Sequence, residues 1–302
     1  MACHRGGRSL LAGRQFLCRK REELTIAANG KIEVQPVVCC RRFFAQHAAA
    51  AAEHLRFEVP KIQVPTLAVI GSDKRFPVRR VYCVGSNYRE HALEMGGNPD
   101  KDPPFFFTKP PDAAVDVSGG GAVVHFPPET ADLQHEVEMV VAVGRGGRGI
   151  SPRDALNHVF GYGVGVDLTR RDMQRAAKKA GRPWDCSKGF DSSGPVGALT
   201  PAAAAGPVAD EGTRKIWLEV DGVRRQNSVL GEMVWSVPEM IARLSQLFTL
   251  EAGDVLFTGT PAGVAALAVG EVVEAGVEGL EPCRFRVGPV LPPTESVKSA
   301  ER

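Results

Sequence analysis

One stretch limits the possible folds of this chain more than any other, the sequence ADLQHEVEMVVAVGRGG at residues 131–147. Side chains of a β-strand point alternately to its two faces. The alternation places four apolar side chains on one face, namely Val137, Met139, Val141 and Val143. The other face begins with Glu136 and Glu138, and burying two neighbouring carboxylates is costly unless a positive group lies between them. The stretch therefore predicts a buried strand with a cation beside its acidic end.

Basic residues are concentrated at the N-terminus. Residues 1–44 contain nine Lys or Arg and three acidic residues, a net +6, whereas the whole chain carries +2, so the remainder carries −4. This acidic remainder does not indicate a nucleic-acid surface. No apolar run approaches the roughly 20 residues that a membrane-spanning helix needs. We therefore expect neither a nucleic-acid nor a membrane partner.

The organisation of the chain changes near residue 58. Residues 1–58 are Arg-rich and show no strand alternation, and Arg-rich amphipathic leaders direct proteins to organelles, although serine is scarce here. We expect a basic leader that is either disordered or a targeting segment, which favours the mitochondrial matrix, with the cytoplasm as the alternative. Residues 59–290 are predicted to form a single domain with a short N-terminal part, 59–80, and residues 291–302 a loose tail. Four of the seven cysteines lie in the basic leader, and the other three, Cys83, Cys186 and Cys283, lack metal-type spacing, which favours free thiols in a reducing compartment.

Short strands outnumber helices in the predicted domain, which indicates a β-rich α+β fold. A hairpin is expected in RKIWLEVDGVRRQNSV, with Asp221 and Gly222 in its turn. An amphipathic helix is expected in SVPEMIARLSQLFTL. A further helix is expected to begin at Ser151, because Ser151 suits an N-cap and Pro152 a first helical turn.

Three acidic residues form a candidate metal site. Glu136 and Glu138 share a strand face, and Asp167 follows the apolar run GYGVGV, where a strand ends. Carboxylates without a Cys or His cluster suit Mg²⁺, Mn²⁺ or Ca²⁺ better than structural zinc. On its own, however, a Glu-x-Glu pair is more often a solvated strand face, so the spacing leaves both interpretations open.

Two further elements have chemical potential. His91 and Glu94 are three residues apart in a short helical stretch, so the carboxylate can orient the imidazole as a general base for water, or the two form an ordinary surface pair. Lys188, in WDCSKGFD, could hold a substrate carboxylate or enolate, although most lysines are solvated. The loop TGTPAGV offers hydroxyls and amides to an anion but is not a P-loop.

Together and in order, these motifs resemble one family, that of fumarylacetoacetate hydrolase, and within it the short acylpyruvate or fumarylpyruvate hydrolase branch. The resemblance covers roughly residues 80 to 285. The segments that carry it are VGSNYREHALEM, PPFFFTKPPDAAV, DLQHEVEMVVAVG, ALNHVFGYGVGVDLTRRDMQ, GRPWDCSKGFDSSGPVG, LEVDGVRRQ and GDVLFTGTPAGV.

The resemblance implies a mixed β-sandwich roll, a homodimer and a divalent metal ion, Mg²⁺ or Mn²⁺, with Ca²⁺ also possible. The site residues that it implies are the metal ligands Glu136, Glu138 and Asp167, the water-activating pair His91 and Glu94 on a lid, the active-site lysine Lys188, and the residues around the pyruvoyl end of the substrate, Arg171, Gln174 and Thr260. Two positions depart from the family pattern. Ser86 stands where the family usually has arginine, and Ala265 where it usually has glycine, so substrate fit is in question.

The implied reaction is metal-dependent hydrolysis of a C–C bond in a 2,4-dioxo acid, an acylpyruvate such as fumarylpyruvate, which yields pyruvate and a second carboxylate. Decarboxylation or keto–enol tautomerisation of oxaloacetate is the alternative, because the same site suits a smaller 2-oxo acid without an attacking water. A non-catalytic relative that only binds a ligand is the least expected outcome.

Overall fold

The structure is a computed structural model of the 302-residue chain. It describes residues 61–94, 96, 104–206 and 212–292, together with the backbone of residues 23–26 and 32–35. The chain divides into two units, Met1–Ile62 and Gln63–Arg302. The rest of the predicted leader and residues 293–302 of the predicted tail lie outside the described residues. None of the described helices is both long and apolar enough to span a membrane.

The first unit contains an antiparallel strand pair. Strand β1 (Glu23–Ile26) pairs with β2 (Ile32–Gln35), so that Leu24 lies opposite Val34. The expectation that the leader has no strand is wrong for these two segments. Apolar residues alternate on both sides of an Asn-Gly dipeptide in ELTIAANGKIEVQ, and such a pattern favours a hairpin.

The second unit is built mainly from short strands, as expected for a β-rich α+β domain. The described strands are, in chain order, β3 (Thr66–Val69), β4 (Ser72–Pro77), β5 (Arg80–Gly85), β6 (Phe105–Lys109), β7 (Ala114–Asp116), β8 (Val123–His125), β9 (Leu133–His135), β10 (Val137–Val143), β11 (Val159–Val166), β12 (Thr169–Arg170), β13 (Gly194–Val196), β14 (Thr200–Pro201), β15 (Lys215–Val220), β16 (Val223–Val229), β17 (Asp254–Phe257), β18 (Ala265–Ala266), β19 (Val272–Val277) and β20 (Cys283–Gly288).

These strands form two principal sheets. The larger has the order β6-β5-β17-β10-β11-β13-β7, with β14 also paired to β11, and the second has the order β16-β15-β19-β20-β8. Both are mixed, because β5 and β17, β7 and β13, and β8 and β20 pair in parallel among otherwise antiparallel neighbours. Strands β12, β9 and β18 form a small third sheet, and β3 and β4 a hairpin.

Strand β10 lies between two hydrophobic clusters, and all seven of its residues are buried. Met139 and Val141 pack into a cluster that includes Ile216 of the second sheet, whereas Val140 and Ala142 pack into a separate cluster. The predicted strand is confirmed. On the face that carries Glu138, however, the next residues, Val140 and Ala142, are apolar and buried as well. Burial of each such side chain stabilises the fold by about 1.5–3 kcal/mol, so both faces fix the strand in place.

Register between β10 and β11 determines where the acidic residues lie. Val137 lies opposite Val166, so Glu136 and Asp167 are neighbours at the adjacent ends of the two strands, and the N–H of Asp167 donates to the carbonyl of Glu136 at 2.8 Å. Gly165 makes close packing possible here, because a Cβ at this position would come within 2.8 Å of Phe257 and Val140 side-chain atoms.

The helices are few and short among the described residues. They are α1 (Arg89–Glu94), α2 (Arg171–Ala180), α3 (Asp185–Lys188), α4 (Ala202–Ala205) and α5 (Val237–Leu247). The amphipathic helix is confirmed as α5. The helix expected from Ser151 is wrong: a 3-10 turn, Ala155–His158, occupies the segment, because the chain enters β11 at Val159 before an α-helix can form.

The hairpin of β15 and β16 is confirmed with its turn. Asp221 and Gly222 have φ angles of 50° and 76°. Both angles are positive, as the two central residues of a type I′ turn require. The hairpin brings Gln226 of β16 into the interior, where it contacts the N-terminal end of β10.

Candidate active site

Three carboxylates converge where β10 and β11 adjoin. Glu136, Glu138 and Asp167 are buried, and one oxygen from each lies within 4.8 Å of the others. The strand alternation brings the two glutamates to one side, and the register with β11 adds Asp167. Such a cluster of acids requires positive charge nearby.

Part of that charge comes from Lys188, the last residue of α3. Its Nζ lies 2.7 Å from Glu136 Oε2 and 2.7 Å from Asp167 Oδ2. The helix fixes the lysine, since the backbone N–H of Lys188 donates to the carbonyl of Trp184 at 2.9 Å. Burial lowers the pKa of Lys188, but the charges of Asp167 and Glu136 outweigh it and raise that pKa above its ordinary value. The ammonium group therefore remains charged inside the site.

A second cation approaches Glu136 from α2. The Arg171 guanidinium forms an ion pair with Glu136 Oε1 and also donates to Gln174, three residues along the same helix. Gln134 accepts a further bond from Arg171 Nε at 2.7 Å. Burial alone would raise the pKa of Glu136, but Lys188 and Arg171 hold it well below its usual range.

Glu138 has no comparable partner among the described residues. Its one hydrogen bond comes from the backbone N–H of Gly259, at 2.6 Å, and it forms no ion pair with a described residue. Burial, followed by the charges of Asp167 and Glu136, raises the pKa of Glu138 well above its ordinary value. The acidic cluster is thus compensated on the Glu136 side and left with uncompensated negative charge on the Glu138 side.

The donor set fits a divalent cation. Three carboxylates offer only oxygen ligands, as Mg²⁺ and Mn²⁺ prefer, and Glu138 is a buried acid that forms no ion pair with a described residue. Glu136, Glu138 and Asp167 are the residues that would hold the ion.

The candidate water-activating pair lies on α1. His91 is buried, and its Nδ1 is 3.2 Å from Glu94 Oε2, whereas the Glu94 side chain is 38% exposed. With the proton on Nδ1, the imidazole donates to Glu94 and leaves Nε2 to accept a proton. The two residues are in contact as their spacing predicts.

One cavity gathers most of the predicted residues. Its volume is about 470 Å³, including its open mouth. Seven of the nine predicted site residues line it, namely His91, Glu136, Glu138, Arg171, Gln174, Lys188 and Thr260. Asp167 lies beneath Lys188, and Glu94 lies behind His91. The structure therefore assembles the predicted set around one space, while the role of each residue remains a prediction.

The positions that depart from the family pattern lie at different depths. Ser86 is exposed at the mouth of the cavity and has a φ of 55°. Its hydroxyl stands where the family usually has the cation of arginine, so the mouth has less positive charge. Ala265 belongs to β18, where it pairs with His135 and does not line the cavity.

Sequence reasoning did not identify Lys109, a second buried ammonium group. Its Nζ lies 2.8 Å from Asp167 Oδ1 and 3.0 Å from Ser193 Oγ. Asp167 is therefore held between two lysines. The alternation of β6 indicates that Lys109 shares a face with Phe105 and Phe107. Its ion-pair partner, Asp167, is evident only from the three-dimensional structure.

Gln226 was also missed. Its side chain accepts from the Val137 N–H at 3.0 Å and from His135 Nδ1, and it donates to Thr260 Oγ1 at 2.8 Å and to the Pro261 carbonyl. One buried amide thus connects the strand between the two glutamates with the loop that carries Thr260. Its only sequence signal was its place at the end of LEVDGVRRQ.

A family comparison agrees with this geometry. A sequence model of the C-terminal domain of fumarylacetoacetate (FAA) hydrolase matches residues 80–288. The chain belongs to the fumarylacetoacetate hydrolase family. The resemblance inferred from the seven segments is confirmed, and so is the β-rich α+β fold.

Solved members of the family show the same fold. The fumarylpyruvate hydrolase from Pseudomonas aeruginosa, solved with Mn²⁺ and pyruvate, is 44% identical with a TM-score of 0.73 and covers 78% of this chain and 100% of its own. A putative fumarylpyruvate hydrolase from Burkholderia cenocepacia is 52% identical with a TM-score of 0.71, covering 78% and 99%.

Curated relatives have different names. The mitochondrial oxaloacetate decarboxylase of Dictyostelium discoideum is 37% identical over 203 residues, which is 67% of this chain and 90% of the relative. The mitochondrial oxaloacetate tautomerase FAHD1 of Arabidopsis thaliana is 36% identical over 208 residues, 69% of this chain and 90% of the relative. The family is therefore certain, whereas its members include more than one reaction of 2-oxo acids.

Proposed function

We propose that the chain hydrolyses a C–C bond of a 2,4-dioxo acid, an acylpyruvate such as fumarylpyruvate, to pyruvate and a second carboxylate. The observation that carries this proposal is the His91–Glu94 pair on the same cavity as the acidic cluster, because a hydrolase needs a base for water and a decarboxylase does not. The similarity to fumarylpyruvate hydrolases at 44% and 52% identity supports it.

Glu136, Glu138 and Asp167 would hold a divalent metal ion, Mg²⁺ or Mn²⁺. When bound, the ion would supply Lewis acidity to the 2-oxo acid. The Mn²⁺ of the Pseudomonas aeruginosa relative supports this assignment. Arg171, Gln174 and Thr260 bind the pyruvoyl end, where the guanidinium offers a charge-assisted bond to a carboxylate.

His91 supplies the base. Its Nε2 takes a proton from water while Glu94 holds Nδ1, and the resulting hydroxide attacks the distal ketone. The C–C bond breaks toward the pyruvoyl end, which leaves as an enolate and is then protonated on carbon. The Lys188 ammonium stabilises the negative charge that develops on the enolate oxygen. The atoms of one water molecule are thus divided between the two products.

Oxaloacetate decarboxylation or tautomerisation is the second candidate. It is favoured by the names of relatives that are 36–37% identical over about two-thirds of this chain. Neither reaction requires an attacking water, so neither requires His91 to act on one.

A substrate panel tests the two candidates. Purified protein with added Mg²⁺ or Mn²⁺ is assayed with fumarylpyruvate, acetylpyruvate and oxaloacetate, by loss of the dioxo-acid absorbance and by pyruvate release. We expect the highest kcat/KM with an acylpyruvate. Turnover of oxaloacetate alone would contradict the hydrolase proposal and support the second candidate.

We further propose a homodimer in the mitochondrial matrix. The location is supported by the mitochondrial relatives and by the basic residues 1–58. Light scattering gives the oligomeric state, and a fluorescent fusion with and without residues 1–58 gives the location. A cytoplasmic signal from the full-length fusion would contradict the matrix assignment.

A further inference from the structure

Strand β6 carries three side chains on one face, and the outer two, Phe105 and Phe107, line the cavity. Phe105, Phe107 and Lys109 are two residues apart, so they point to the same side of the strand. Phe105 is 41% exposed, Phe107 is half-buried and Lys109 is buried beside Asp167. The face therefore changes from an ammonium group at the acidic cluster to an aromatic ring at the mouth.

Trp184, the residue just before α3, completes this surface. Its indole meets Phe105 edge-on, with ring centroids 5.4 Å apart and an interplanar angle of 81°, and Phe107 with centroids 5.7 Å apart. Phe107 also lies close to the proposed active-site lysine, 5.2 Å from Lys188 Nζ to its ring centroid. We name Phe105, Phe107 and Trp184 the aromatic wall. It extends from Lys188 to the mouth of the cavity.

Gly85 of β5 allows the wall to form at the mouth. Gly85 lies opposite Phe105, and a Cβ at this position would come within 2.0 Å of the Phe105 ring. The ring thus packs directly on the backbone of β5. An aromatic ring laid across a cross-strand glycine is held in a defined orientation, so the wall offers a fixed flat surface.

The proposed roles of the polar residues assign a place to the rest of the substrate. Arg171, Gln174 and Thr260 are assigned to the pyruvoyl end. The acyl group attached to the distal ketone is then assigned to the path past Lys188, where the Phe107 ring centroid lies 5.2 Å from Nζ and Phe105 is exposed. The aromatic wall covers this path, and a flat unsaturated group gains contact with ring edges and faces that a puckered or short group cannot.

We propose that the aromatic wall is the acyl subsite and that it selects dioxo acids whose acyl group is flat, a vinyl or aryl group conjugated with the ketone. This inference rests on the proposed function, since it concerns the substrate of that site. It also separates the two candidate reactions, because oxaloacetate has no acyl group to reach the wall.

The test compares two substrates of similar size and different shape, benzoylpyruvate and cyclohexanecarbonylpyruvate. We expect the wild-type protein with Mn²⁺ to have a kcat/KM about fivefold higher for the benzoyl compound. Phe105→Leu keeps an apolar side chain but removes the flat ring, so the ratio should fall toward one, mainly through KM. A ratio near one in the wild type, or an unchanged ratio in Phe105→Leu, overturns the proposal.

A matched control is Phe248→Leu. Phe248 is 37% exposed and packs on Tyr82, with ring centroids 5.2 Å apart, outside the cavity. Its substitution should leave the ratio at the wild-type value. If it lowers the ratio as much as Phe105→Leu does, the effect is a general loss of packing and the wall is not the acyl subsite.

Calorimetry keeps this inference distinct from the proposed function. His91→Ala with Mn²⁺ is titrated with both compounds, with and without Phe105→Leu. If the wild type cleaves neither these compounds nor fumarylpyruvate and acetylpyruvate, the hydrolase proposal fails, yet a fivefold binding preference that Phe105→Leu removes still supports the wall. Equal binding of both compounds refutes the wall whatever the turnover.

Discussion

The floor and the mouth of the cavity are built in different ways. The floor consists of Glu136, Glu138 and Asp167 at the ends of strands in the interior of the larger sheet, with each residue at most 5% exposed. The mouth consists of Phe105 and Phe107 on edge strand β6, of Trp184 beside them, and of helix α1, which has only six residues. The charged groups are therefore fixed by the core of the fold, whereas the groups that we propose to meet the variable part of a substrate lie where the fold is less constrained.

If this contrast is correct, floor substitutions change stability and activity together. Glu136→Gln should leave Arg171 without its buried anion and Lys188 with Asp167 alone, which costs about 3 kcal/mol of unfolding free energy. It should also remove metal binding and reduce kcat/KM by about 10³-fold or more. Urea denaturation, Mn²⁺ titration and the acylpyruvate assay measure the three effects.

Glu219→Gln is the control for that substitution, because it removes a half-exposed ion pair between Glu219 of β15 and Arg224 of β16. It should change the free energy of unfolding by less than about 1 kcal/mol. Wild-type turnover by Glu136→Gln that is demonstrably free of metal would refute the floor assignment.

A substitution at the mouth should change activity with little change in stability. His91→Ala should reduce hydrolysis about 10²–10⁴-fold, because it removes the proposed base. His91 is itself buried, but it lies on the short helix α1, so loss of its hydrogen bond to Glu94 should lower the free energy of unfolding by only about 1 kcal/mol. Mn²⁺ affinity should be kept. Retained hydrolysis would exclude the proposed base, and a large loss of stability would break the contrast between mouth and floor.

Gln226 tests whether the floor is one connected unit. Gln226→Leu leaves the Val137 N–H and the Thr260 side chain without their partners, which costs about 3 kcal/mol. Because Thr260 loses its anchor, KM for the dioxo acid should rise. Asn227→Leu, an exposed amide on the same strand, is the matched control. Equal urea midpoints for the two variants would contradict the connection.

The smallest expected effect is a change in stability that distinguishes Glu138 from Glu136. Glu138→Gln removes a buried charge that repels Asp167 and Glu136, while Gln can still accept from the Gly259 N–H. We expect the metal-free protein to gain about 1 kcal/mol of stability and to lose the rise in melting temperature that Mn²⁺ gives the wild type. A destabilised variant would mean that Glu138 has a cation partner in the chain after all.

The sequence predicted those parts of the fold that local patterns determine. The strand 137–143, the Asp221–Gly222 turn and helix α5 follow from alternation, turn chemistry and capping, and the order of the motifs placed the family. The prediction of an α-helix from Ser151 was wrong. An N-cap residue and a proline indicate where a helix can begin, but they do not show whether the chain has room to continue it. The burial of both faces of β10 was also missed, because Val140 and Ala142 are interleaved with Glu138.

Partners that are distant in the chain were beyond such reasoning. Lys109 meets Asp167 across 58 residues and Gln226 meets Val137 across 89. Neither contact produces a local pattern in the sequence, because each depends on the register of sheets whose strands come from the whole domain. The predicted site residues nevertheless lie around one cavity, because the family resemblance carried information that spacing alone did not.

Strand β6 also has a consequence for how this enzyme could diversify. Among the described strands, it pairs only with β5, and along its length the constraints on each position decrease from Lys109, which is paired with Asp167, to Phe105, which is 41% exposed. If the aromatic wall is the acyl subsite, a mutation at the outer end can alter which acids are accepted without disturbing the proposed catalytic groups. Laboratory evolution toward new dioxo acids should accumulate its first changes at Phe105 and leave Lys109 untouched.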